Sequence, residues 1–128
     1  MARISTDMGA HKERLGMLQG DSFSFTFTLK SNGELVDFTD CTAILQVRER
    51  FADEESGKPP LAVLTQLSGL TLGGATGVIT IRLTPVQTQE LGTKFKRARF
   101  QLRITDTTTA IVATVLRGEI RTDRSVIG

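Results

Sequence analysis

The hydrophobic pattern is clearest over residues 22–30, where Phe23, Phe25, Phe27 and Leu29 alternate with Ser22, Ser24, Thr26, Thr28 and Lys30. A strict period of two in β-favouring residues predicts a strand with one buried face and one wet face. One-sided alternation belongs to antiparallel sheets, because parallel strands are usually buried on both faces. Ser31-Asn32-Gly33 follows as a turn, since Asn and Gly accept positive φ. Residues 42–50 repeat the pattern, with Ala43, Leu45 and Val47 on one face and Thr42, Gln46 and Arg48 on the other. Residues 51–60 are polar and acidic and end in Pro59-Pro60, which predicts a loop. Residues 61–67 and 69–72 predict short strands, and residues 73–77 a glycine-rich turn. Residues 78–83 then form a strand with Ile79, Ile81 and Leu83 on one face.

One helix start is written into the chain at Thr84-Pro85-Val86-Gln87. Thr84 can cap the free N–H groups, Pro85 suits the first helical position, and Gln87 can close a capping box. Leu91-Gly92 predicts a stop after about two turns, so the helix serves as a crossing between sheets. Residues 94–105 predict a long strand with Ala98, Phe100, Leu102 and Ile104 inward and Arg97, Arg99, Gln101 and Arg103 outward. After a turn at residues 106–109 comes the last strand, residues 110–122. Its apolar phase slips near Arg117-Gly118, which predicts a β-bulge. Residues 12–19 read as a short first strand. About eight strands with regular turn signals predict an all-β, two-sheet antiparallel sandwich with one short helix. Residues 1–11 form a loose N-terminal arm and residues 12–128 the β-sandwich domain.

Composition narrows the chemistry. A chain of 128 residues suits one domain with an adequate core. A single cysteine, Cys41, excludes an intrachain disulfide and a Cys-only metal site. No apolar run approaches the ~20 residues that cross a bilayer, and residues 1–10 lack the apolar stretch of a secretory signal. The expected place of synthesis and folding is a cytoplasm, with no membrane partner. Seven Phe with no Tyr or Trp leave the chain without the usual platforms for sugars and bases. That counts against a carbohydrate-binding module, the alternative from another class. A net charge of +2 is too small to imply nucleic acid.

The basic residues Lys94, Lys96, Arg97, Arg99 and Arg103 fall in one stretch without an acid. They either grip an acidic patch on a neighbouring protein or form the wet face of an amphipathic strand, guarded by charge against edge pairing. Nucleic-acid binding needs stacking aromatics among the cations, and only Phe95 offers one. His11, the single histidine, lies in the arm beside Lys12 and Arg14, and these three join the protein-contact candidates. Without a second His or an adjacent nucleophile, His11 assembles neither a triad nor a zinc site. Asp37 and Asp40 could share a calcium with backbone carbonyls, although turn aspartates more often bond their own backbone. Asp53, Glu54 and Glu55 read as a solvated loop. Residues 73–77 lack the lysine and following helix of a phosphate loop. The chain is expected to be a binding protein, not an enzyme, with no catalytic residue, metal or cofactor.

A longer pattern joins these pieces. Leu18-Gln19-Gly20-Asp21 runs into the Phe-alternating strand, followed by residues 31–43 (SNGELVDFTDCTA) and Leu45-Gln46-Val47-Arg48. Later come Gly77-Val78-Ile79-Thr80-Ile81, Thr84-Pro85 with its helix, residues 100–106 (FQLRITD) and Leu116-Arg117-Gly118-Glu119-Ile120. This order resembles the immunoglobulin-like domains of tailed-phage virion proteins, and is similar to the N-terminal domain of baseplate upper proteins, over residues 18–123. The resemblance implies an immunoglobulin-like sandwich in a virion structural component, a tail or baseplate adaptor that attaches fibres or neighbouring virion proteins. Its implied partners are other virion proteins, with copies arranged as a homo-oligomer or ring. The chain ends soon after the domain, where a baseplate upper protein continues. A free-standing copy of the domain suits a small tail, neck or head-decorating protein equally, and capsid decoration is the alternative within the same family.

Overall fold

A strand that alternates apolar and polar side chains needs a second layer over its apolar face. The computed structural model, which describes residues 2–5, 9–50 and 57–124, supplies two such layers. In chain order the strands are β1 (His11–Leu18), β2 (Phe23–Thr28), β3 (Lys30–Ser31), β4 (Glu34–Leu35), β5 (Cys41–Arg48), β6 (Ala62–Thr65), β7 (Leu70–Leu72) and β8 (Val78–Leu83). Helix α1 (Pro85–Lys94), β9 (Arg97–Asp106) and β10 (Val112–Asp123) complete the series. One sheet has the order β1-β10-β9-β5-β6 and the other β2-β8-β7, so the eight expected strands are those of the two main sheets. The small β3–β4 hairpin turns through Asn32 and Gly33 at φ 52° and 81°.

Leu45, Val47, Phe100, Leu102 and Leu116 of the larger sheet share one core with Ile79, Ile81 and Leu83 of the smaller, all at most 1% exposed. Each such side chain contributes roughly 1.5–3 kcal/mol on burial. Phe23, Phe25 and Phe27 are only half-buried, although their face was expected to be covered. β2 is the outermost strand of its sheet, so solvent reaches the ring edges.

Alternation fixes a strand's face but not its direction. That is why the expected wholly antiparallel sandwich fails at one seam: β1 runs parallel to β10, from His11 beside Leu116 to Leu18 beside Asp123. The capping box forms as expected, the Gln87 N–H donating to Thr84 Oγ1 (3.2 Å) and the Thr84 N–H to Gln87 Oε1 (2.9 Å). Helix α1 does cross between the sheets, from β8 to β9. It does not stop at Gly92 but continues to Lys94, so Lys94 is helical and β9 begins at Arg97. Gly92 is small for another reason: the Gln19 side chain lies where its Cβ would stand.

The register of β10 against β9 slips between Thr114 and Leu116, earlier than the expected bulge, which leaves Val115 and Leu116 both fully buried. Gly118 answers a separate demand, because a Cβ there would collide with the Glu13 carbonyl of β1.

Residues 2–5, expected as part of a loose arm, are held against the sandwich. Ala2 bridges Val36, its carbonyl accepts the Asp37 N–H (2.8 Å), and Ile4 is 2% exposed. An apolar Ile4 and a carboxylate waiting for Arg3 tie down a segment whose composition alone looks loose. His11 opens β1 and no longer belongs to an arm. Of the predicted 51–60 loop, residues 51–56 lie outside the described residues.

Candidate protein-binding face

Residues paired across a sheet share a face, so the registers convert the charged residues of separate strands into one surface. Along one row Arg14 of β1 stands beside Glu119 of β10, Arg99 of β9 and Arg48 of β5. The adjacent row runs Lys12, Arg117, Gln101 and Gln46. Arg121 pairs with Arg97 on one flank, and Thr114 pairs with Arg103 on the other. The outer face of the five-stranded sheet thus carries eight cations (Lys12, Arg14, Arg48, Arg97, Arg99, Arg103, Arg117 and Arg121) against two acids, Glu119 and Asp123. The described residues hold sixteen cations and ten acids, a sum of +6, so this face carries their entire net charge.

Glu119 lies 3.7 Å from Arg97 Nε and 3.8 Å from Arg99 Nη1, and Arg121 reaches Asp123 at 3.3 Å. The Arg48 guanidinium donates to Gln46 Oε1 (2.7 Å), and among the described residues its Nε has no acceptor. Arg103 donates weakly to Thr114 and Gln101. An open groove runs between β1 and β9, lined by Lys12, Glu13, Arg14, Arg99, Arg117 and Glu119, with Gly118 at its floor. A second gathers Lys96, Arg97, Arg121 and Arg124 with Gln19 and Asp123.

The structure therefore brings Lys12, Arg14, Lys96, Arg97, Arg99 and Arg103 onto or beside one surface, and leaves two candidates elsewhere. Lys94 sits in the last turn of α1, where a cation suits the helix dipole. His11 points to the other side of β1, its ring 4.7 Å from that of Phe27 and its Nε2 3.5 Å from Glu13. β9 is an interior strand, so its cations do not guard an edge. Sequence reading missed Arg48, Arg117, Glu119 and Arg121. Arg48 was legible from the β5 alternation, but the slip at Val115 hid the common face of the other three.

The remaining candidates fall out differently. Phe95 is buried, so it offers no stacking surface. Burial pushes the Cys41 thiol above its ordinary pKa. Asp37 Oδ1 accepts from the Thr39 hydroxyl (2.6 Å) and N–H (2.9 Å), which hold its carboxyl below the usual range. Gly74–Thr76 form a 3-10 turn inside the β7–β8 hairpin. Asp53, Glu54 and Glu55 lie outside the described residues.

Two facing sheets of this kind, with one crossing helix, define an immunoglobulin-like β-sandwich. A chain in the crystal structure of ICOS in complex with ICOS-L and an anti ICOS-L VNAR domain matches 91% of this chain and is covered over 56% of its own length. Its TM-score is 0.50 at 14% identity. The extracellular domain of the voltage-gated sodium channel beta4 subunit, solved as parallel homodimers that explain its role in cell-cell adhesion, aligns over 96% of this chain and 99% of its own. Its TM-score is 0.48 at 11% identity. Neither is a virion protein. No family model matches the chain, and no curated protein sequence does.

Proposed function

We propose that the chain is a protein-binding structural module of a tailed-phage particle, serving at its tail or baseplate as an adaptor. The observation that carries the binding role is the gathering of eight cations on one sheet face, built from four separate strands. Flat sheet faces with clustered guanidinium groups suit carboxylate-rich protein surfaces, since Arg pairs bidentately with carboxylates. No outward residue of these strands is aromatic, so the stacking that single-stranded nucleic acid requires is missing. The particle is supplied by the ordered resemblance over residues 18–123, and the immunoglobulin-like sandwich agrees with it.

The experiment is immunogold labelling of tailed particles purified from cells that encode the chain, using antibody raised against the purified domain. Label at the tail or its tip supports the adaptor reading. Label over the head replaces it with capsid decoration, and particles without label overturn both.

A further inference from the structure

The two main sheets end in four edges: β1, β6, β2 and β7. Folded proteins blunt such edges with charge, proline, bulges or brevity, because a free edge templates another strand. β1 carries Lys12, Glu13 and Arg14, while β6 and β7 have only four and three residues. β2 has six residues and none of these devices: no charge, no proline, no glycine and no slip in its register.

Its backbone polarity can be read from one bond. The Leu29 N–H donates to the Gly77 carbonyl at 2.7 Å. In an antiparallel pair the bonded positions recur every two residues, so Phe27, Phe25 and Phe23 also turn their backbone groups toward β8. Those of Ser24, Thr26 and Thr28 point away from the sheet, and among the described residues nothing meets them.

The same segment is complementary to itself. In an antiparallel pairing centred on Thr26, that residue faces its own copy, Ser24 faces Thr28, and Phe25 faces Phe27. One side of the new seam becomes a ladder of hydroxyls and the other a set of aromatic pairs, both favourable cross-strand combinations. The aromatic pairs fall at the non-bonded positions, where side chains approach most closely. They also cover rings that the isolated domain leaves half-exposed. No charge of the strand opposes a like charge, and a two-fold axis closes the assembly.

We infer that β2 is a self-association edge, through which two copies of this chain join their three-stranded sheets into one. This goes beyond the particle role, since it uses neither the cationic face nor a virion partner. The test is analytical ultracentrifugation of the purified chain over roughly 1 μM to 1 mM, for the natural sequence, Thr26→Lys, Thr26→Glu and an equimolar mixture of the two variants. Thr26 is exposed in the single domain, so both variants should keep its circular dichroism and melting temperature. The expected result is a dimer that each variant weakens at least about tenfold, and that the mixture restores as a heterodimer. A natural chain that stays monomeric throughout, or a dimer indifferent to both variants, overturns the inference. So does a mixture that pairs no better than its parts. None of these outcomes bears on where particles carry the chain.

Discussion

Asp106 is 1% exposed, yet it sits at the end of β9 with its carboxylate fully engaged. Burial pushes its pKa up, but Arg3 Nε and Nη2 (3.2 and 2.9 Å) and the N–H groups of Thr108 and Thr109 outweigh that, and the net shift is downward. A carboxylate whose folded pKa is depressed stabilises the fold above its unfolded value of about 3.9. That stability is lost as pH falls through the folded value. Asp106→Asn should therefore lower the urea midpoint near pH 7 and flatten its decline toward about pH 3. Identical acid responses in the two proteins would show that this carboxylate does not hold the N-terminal segment. Gly118→Ala forces a Cβ into the Glu13 backbone at φ 156° and should cost about 2–3 kcal/mol by parting β1 from β10. Gly16→Ala, with nothing within 4 Å of the added carbon, should be neutral or stabilising by up to about 1 kcal/mol. Equal effects at the two sites, measured by chemical denaturation, would remove the close approach as the reason for Gly118.

Helix α1 shows how far local sequence determines an element and where tertiary contacts take over. Its start was legible because every donor and acceptor of the capping box lies within four residues, Thr84 to Gln87. Its end was not, because Gly92 is explained by Gln19, far away in sequence and invisible to local pattern. Thr88 was missed for the same reason. It is fully buried, and its hydroxyl accepts the Gly20 N–H (3.1 Å) and donates to the Asp21 carbonyl (2.8 Å). This joins the helix to the turn between β1 and β2. Thr88→Val keeps the shape and strands both backbone groups, so denaturant unfolding should show a loss of about 1–3 kcal/mol. Thr84→Ala, which removes only the cap, should cost about 1 kcal/mol. A valine variant no weaker than the alanine one would mean that the turn finds water in place of the hydroxyl. Strand faces were legible wherever period two ran unbroken, as in β5, β8 and β9. Where Val115 interrupts it in β10, the phase of Arg117, Glu119 and Arg121 was lost, and with it that strand's share of the candidate face.

Across the whole molecule, the net charge of +2 conceals a concentration: one sheet face carries +6, the entire net charge of the described residues. As a sum, +2 is too small to imply nucleic acid, and a sum carries no positions. The parallel β1–β10 seam creates the concentration by setting Lys12 and Arg14 alongside Arg117 and Glu119, residues about a hundred positions away in sequence. A surface this uneven presents its charged side to an oppositely charged partner, so location should outweigh total charge in binding. Lys12→Gln with Arg14→Gln removes two charges from the face, and Lys30→Gln with Arg82→Gln removes two from elsewhere. All four side chains are exposed, so both doubles should fold. The two doubles then have the same net charge and differ only in where it lies. On a cation exchanger the face double should elute at distinctly lower salt than the other, and the gap should shrink near about 1 M salt, where screening acts within about 3 Å. Coincident elution at every ionic strength would mean that the eight cations do not act as one surface, and the acidic partner proposed for them would have no place to bind.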